Sequence, residues 1–149
     1  MGTTVTAALL HGARAEFAQV GDSRAYLYRD GNLILLTEDQ TVGNQLRLRG
    51  GDTASVSPRV QEMLVQAVGT QPEIQVTMTA VDLQPQDFLL VCCDGLHKSV
   101  PPAEIAEILQ LEAGVFEKAG RLVMRANEHG GADNITVILT EIFPPDTTA

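Results

Sequence analysis

The first 37 residues constrain the fold more than any other part of this chain. "TTVTAALL", "RAEFAQVGDS", "RAYLYRDG" and "NLILLT" follow one another, alternating and rich in β-branched or aromatic residues. That is the pattern of half-buried strands. Turn residues divide them at His11-Gly12, Gly21-Asp22-Ser23 and Asp30-Gly31-Asn32. Asp-Gly between alternating runs is the strongest short hairpin signal. Residues 1–37 are therefore expected to form a four-stranded antiparallel meander.

The segment 38–58, "EDQTVGNQLRLRGGDTASVSP", changes character. A short helix is expected at Val42–Leu48 inside an irregular, mobile stretch. "RVQEMLVQAVG" then places Val60, Met63, Leu64 and Ala67 at helical spacing, closed by Gly69. "IQVTMTAVDL" alternates as a strand, and Gln84-Pro85-Gln86-Asp87 is a turn with Pro at its second position. "FLLVCCD" is a continuous apolar run, the mark of a strand buried on both faces. Two helices follow. One is "PPAEIAEILQL", with Ile105, Ile108 and Leu109 on one face; the other is "VFEKAGRLVMRANEH", stopped by Gly130-Gly131. "NITVILTEI" is a last strand, and residues 143–149 form a flexible tail. No repeat or linker divides residues 1–142.

Charge narrows the function. The chain has 149 residues, 19 of them acidic against 10 basic, for a net charge of −9. Nucleic acid and anionic membrane both need a basic footprint, so neither is an expected partner. An acidic chain that handled phosphate would need local positive charge, most simply a divalent cation. No run is long enough for a membrane span, and the start lacks the basic region of a signal peptide. The two cysteines, Cys92 and Cys93, are adjacent, with no disulfide framework and no metal spacing. They are expected as small residues on opposite faces of a strand, in a reducing cytoplasm.

Two carboxylates share one context. Asp94 ends the apolar run at "CCDGL", and Asp133 precedes the apolar strand in "GGADNITVIL". If those strands are antiparallel neighbours, the end of one lies beside the start of the other, and the carboxylates meet at one end of the sheet. Two such charges 4 Å apart repel by about 4 kcal/mol at an effective dielectric near 20. A shared proton or a bound cation relieves that, and oxygen donors suit Mg²⁺ or Mn²⁺. Asp22, in "VGDSR", is a third candidate. Each has a plainer alternative as a turn or strand-capping residue. His11, His97 and His129 share no ligand spacing, and no Gly-x-Ser-x-Gly elbow surrounds Ser23 or Ser99.

Three segments in this order, "VGDSRAYLYRDGNLILLTEDQT", "DFLLVCCDGL" and "GGADNITVIL", resemble the C-terminal half of the metal-dependent protein serine/threonine phosphatases, the type 2C or PPM family. "QEMLVQAVGT" is similar to the family's Leu-Thr-x-Ala-Leu-Gly stretch. The resemblance covers residues 1–142, as a partial phosphatase domain. It implies an α+β fold: a β-sandwich of antiparallel sheets flanked by antiparallel helices, with the N-terminal part missing. It implies Asp94 and Asp133 as catalytic residues and ligands of a Mg²⁺ or Mn²⁺ pair. Asp22 matches a position linked to a third, weaker metal shared with Asp94. The implied reaction is attack of metal-bound water on a phosphoserine or phosphothreonine of a protein substrate.

The departures qualify that. The family's Asp-Gly-x-Gly-Gly-His motif, its earlier Glu/Gln-Asp pair and its phosphate-gripping Arg are not in this chain, and "MGTTVTAALL" matches an internal strand. Gln40 stands where the family usually has His. Lys98 stands where it often has another Asp, and an ammonium there would repel an additional cation. Three readings follow: an incomplete phosphatase, a catalytically inactive relative that binds a partner, or a structural β-rich domain. Exposed sheet edges in so short a chain imply self-association or pairing with an N-terminal half.

Overall fold

The computed structural model describes residues 1–144. The expected tail over 143–149 therefore lies, from residue 145 on, outside the described residues. Among the described residues seven strands form two antiparallel sheets. One has three strands, in the order β1 (Val5–His11), β2 (Arg14–Val20), β5 (Thr77–Asp82). The other has four, in the order β4 (Asn32–Leu35), β3 (Arg24–Arg29), β6 (Phe88–Cys92), β7 (Val137–Glu141).

The first 37 residues thus make two hairpins in different sheets and not one meander. β1 pairs with β2 and β3 with β4, while β2 turns to β5. The chain changes sheet at Gly21-Asp22-Ser23. Gly21 has φ +109°, and a Cβ there would meet Thr4 Cγ2 at 2.4 Å. Only glycine satisfies both conditions. Period-two alternation is the same on either side of such a corner, so it carries no sign of the switch.

The two sheets stack through Ala15 and Phe17 of β2 against Ala25, Leu27 and Leu89. The other face of the four-stranded sheet carries Tyr26, Tyr28, Phe88, Leu90 and Cys92. It is covered by α4 (Pro102–Gln110) and α5 (Val115–Glu128), through Ile105, Ile108, Leu109, Leu122 and Ala126. Each fully buried aliphatic of this kind contributes about 1.5–3 kcal/mol relative to exposure. β6 is buried along nearly its whole length because it lies between these two layers. Among the described residues no such cover lies over the outer face of the three-stranded sheet, where Leu9 is 62% and Met78 64% exposed.

The segment 38–69 lies beside the sheets. α1 (Val42–Leu48) forms as expected, capped by the Thr41 hydroxyl accepting from Asn44 N–H. The helix expected through Ala67 stops after one turn, α2 (Pro58–Gln61). Beyond it the backbone is extended, with single antiparallel pairings of Leu64 to Thr41 and of Val68 to Thr3. Met63 and Leu64 stay substantially exposed, so a longer helix would have had no face to bury. A further turn, α3 (Asp94–His97), follows β6 directly. Four residues are too few to show a helical period.

Candidate functional site

The register of the four-stranded sheet brings the three aspartates to one end of it. Arg24 at the start of β3 pairs with Cys92 at the end of β6, which pairs with Val137 at the start of β7. Asp22 lies just before β3, Asp94 just after β6 and Asp133 just before β7, so all three leave the sheet at the same end. β6 and β7 are the antiparallel neighbours that the sequence argument required.

The chain around Asp94 and Asp133 is in contact. An ideal Cβ on Gly95 would lie 2.2 Å from Asn134 O and 3.6 Å from Asp133 C. A glycine is required after Asp94 because the loop carrying Asp133 presses on it. Cys93 ties the same loop: its thiol donates to Asn134 O and accepts from Thr136 N–H, both at 3.1 Å. Asp133 is exposed and accepts its neighbour Asn134 N–H at 2.7 Å.

Asp22 is buried, 6% exposed. Burial, and after it the charge of Asp94, raise its carboxyl above the usual 3.8 despite Lys98 nearby. Asp94 goes the other way. Its burial favours the neutral acid, but the hydrogen bond and charge of Lys98 outweigh it and leave the carboxyl below 3.8. Lys98 Nζ lies 2.9 Å from Asp94 Oδ2, 3.8 Å from Asp22 Oδ2 and 3.6 Å from Glu62 Oε2. Its ammonium is held charged by Asp94, against the opposing effect of burial. His97 turns inward, with Nε2 3.0 Å from Asp22 O. Burial, then the nearby Arg24 charge, lower its pKa and keep it neutral at pH 7.

Arg24 grips Asp39 through two bonds of 2.8 and 2.7 Å and donates to Tyr26 Oη at 3.0 Å. Gln40 braces the Asp22 corner: Oε1 accepts Gly21 N–H at 2.7 Å, while Nε2 donates to Thr77 Oγ1. A cleft of about 440 Å³ opens here, lined among others by Asp22, Arg24, Asp39, Glu62, His97 and Lys98. A larger hollow of about 630 Å³, lined by Gln40, Gln66 and Gln75 and sharing Asp39 and Asn44 with the first, holds none of the three aspartates. Of the three aspartates only Asp22 lines the smaller cleft, beside Lys98.

Cys92 takes no part as a nucleophile, since burial first, then Cys93, push its thiol up to about 12. Glu62 and the inward His97 were not identified from sequence. Glu62 arrives from a distant segment, and a lone His in a four-residue turn carries no spacing signal.

Carboxylates of this kind suit hard divalent ions, yet the described residues by themselves do not gather the ligand set such an ion needs. Among the described residues no group of three or more His, Cys, Asp or Glu side chains is gathered to hold a metal. The notch between Asp22 and Asp94, expected for a third ion, holds the Lys98 ammonium. No helix among the described residues is long and apolar enough to cross a membrane.

The family pattern described as Protein phosphatase 2C matches residues 1–48. The serine/threonine phosphatase stp of Listeria welshimeri is 39% identical over 145 residues, covering 95% of this chain and 57% of the relative. The chain thus spans little more than half the length of the curated relatives it matches. The solved serine/threonine phosphatase of S. agalactiae superposes with a TM-score of 0.86 at 34% identity, over 91% of this chain and 57% of that one. The catalytic domain of the phosphatase PstP, solved with two manganese ions, gives a TM-score of 0.82 at 36% identity, over 96% and 60%. In sequence and in fold this chain is similar to part of the protein phosphatase 2C proteins.

Proposed function

We propose that this chain serves the hydrolysis of phosphoserine and phosphothreonine in proteins, as part of a metal-dependent phosphatase. Asp94 and Asp133 are its metal-ligating catalytic carboxylates, and Asp22 stands beside them. The observation that carries this reading is the register Arg24–Cys92–Val137, which brings all three aspartates to one sheet end. In this chain Gly95 and Cys93 hold the Asp133 loop against Asp94, and the Lys98 ammonium offsets the charge of Asp94 and Asp22. The Mg²⁺ or Mn²⁺ pair needs donors beyond those that the described residues bring together.

A second reading is favoured by that same shortage: a catalytically inactive relative that keeps the sandwich to bind a phosphoprotein. Hydrolysis of a phosphothreonine peptide with Mn²⁺ separates the two. The phosphatase reading expects Mn²⁺-dependent turnover that chelation stops and that Asp94→Asn or Asp133→Asn reduces by a hundredfold or more. Peptide binding without turnover supports the inactive relative. Turnover indifferent to both aspartates overturns the assignment of the site.

A further inference from the structure

We infer that Lys98 is the built-in cation of the Asp22–Asp94 notch: its ammonium takes the place of an ion and excludes a divalent metal there. Three carboxylates from separate segments converge on one nitrogen. Asp94 comes from the start of α3, Asp22 from the corner between sheets, and Glu62 from the end of α2. Their oxygens lie 2.9, 3.8 and 3.6 Å from Lys98 Nζ. Lys98 is four residues beyond Asp94, so one helical turn carries the ammonium back over the carboxylate. The Asp22 side chain is 9% and that of Asp94 30% exposed, so water screens the first of these charges poorly and an internal countercharge is worth more there than at the surface.

The distances suit an ammonium and not a metal. Mg²⁺ takes oxygens at about 2.0–2.1 Å in near-octahedral geometry. It could enter only if Lys98 left and the three carboxylates closed in by about 1–2 Å. An ammonium on a four-carbon stem, tethered four residues away, is always present at high effective concentration and wins that competition.

Metal binding tests this without any turnover, so its outcome is independent of whether the chain is a phosphatase. The chain is titrated with Mn²⁺, and free ion is followed by electron paramagnetic resonance. Lys98→Asn is expected to gain one bound Mn²⁺, at least tenfold tighter than any ion binding to this notch in wild type. Adding Asp22→Asn is expected to remove that gain. Lys98→Gln, smaller in its change of shape, gives the same answer if the Asn variant folds poorly. Lys98→Arg keeps the charge and is expected to exclude the ion as wild type does. Wild-type binding that depends on Asp22 and is as tight as in Lys98→Asn would overturn the inference. So would Lys98→Asn and Lys98→Gln variants that fold but gain nothing.

Discussion

Replacing Gly95 by alanine tests how closely the Asp94 and Asp133 segments are packed. The new Cβ would lie 2.2 Å from Asn134 O and 3.0 Å from Asn134 C. Ordinary contact begins near 3.4 Å, so the 133–134 backbone or α3 must move by about 1 Å. Forced repacking of this kind costs about 1–3 kcal/mol. Against it stands the gain of Ala over Gly in a helical turn, at most about 1 kcal/mol. The clash is with backbone tied to Cys93 and not with a flexible side chain, so the cost wins. A net loss of about 1–2 kcal/mol corresponds to a melting temperature lower by roughly 3–8 °C for a chain of this size. Gly120→Ala is the matched control. It lies within α5 with no heavy atom within 4 Å of its new Cβ, and is expected to gain about 0.5–1 kcal/mol. Both are read by calorimetry at pH 7. A Gly95→Ala protein as stable as wild type, beside a stabilised Gly120→Ala, would refute the packing of the two segments.

Other expectations follow from the same geometry. Asp87 is 1% exposed and takes two bonds from Arg29, at 2.8 and 2.6 Å. Asp87→Ala is expected to cost about 2–3 kcal/mol in urea denaturation, because it removes two charge-assisted bonds from Arg29 and leaves Gln84 N–H without its acceptor, while Arg29 keeps its bond to Asp82 O. Burial alone would raise the Asp87 carboxyl, but Arg29 and Gln84 N–H leave it below 3.8. Its stabilisation is therefore full above pH 3.8 and disappears as pH falls through the lowered folded value. Asp22 has the opposite sign: its raised carboxyl favours the folded state at low pH, and that advantage is lost as pH rises through the folded value. Asp22→Asn is expected to be more stable than wild type at pH 7 and to lose that margin at pH 3, as read by melts at both pH values. Cys93→Ala is expected to lose about 1 kcal/mol with its two hydrogen bonds, and Cys93→Ser to keep most of it. The open face bearing Leu9 and Met78 is expected to drive concentration-dependent self-association in light scattering, reduced by Leu9→Lys. A stable monomer at all concentrations would contradict that.

How much of this was legible in the sequence depended on the range over which each signal acts. Strand existence was clear wherever alternation or a continuous apolar run lasted five residues or more, as in β2, β3 and β6. The helix faces of α4 and α5 were equally clear, and Ile105, Ile108 and Leu109 are buried as their spacing required. Sheet membership was not legible, because β2 and β3 alternate identically and only Gly21 marks the corner. The helix through Ala67 failed because spacing shows a face without showing anything to cover it. At the site, Asp94 and Asp133 stood out through a local sign, a carboxylate ending or preceding an apolar strand. Glu62 had no such sign, since only the fold carries it to Lys98. Lys98 could be flagged as a misplaced charge beside Asp94, but its other two partners, Asp22 and Glu62, lie dozens of residues away in the sequence.

The most direct test of the central arrangement is a proton–proton distance in solution. In a nuclear Overhauser spectrum of the labelled 149-residue chain, the Gly95 Hα protons are expected to show cross-peaks to protons of residues 133–135, since an ideal Cβ at Gly95 lies 3.6 Å or less from atoms of Asp133 and Asn134. Cross-peaks from Gly95 to its own helix alone, with none to that loop, would contradict the meeting of Asp94 and Asp133 on which the proposed function rests.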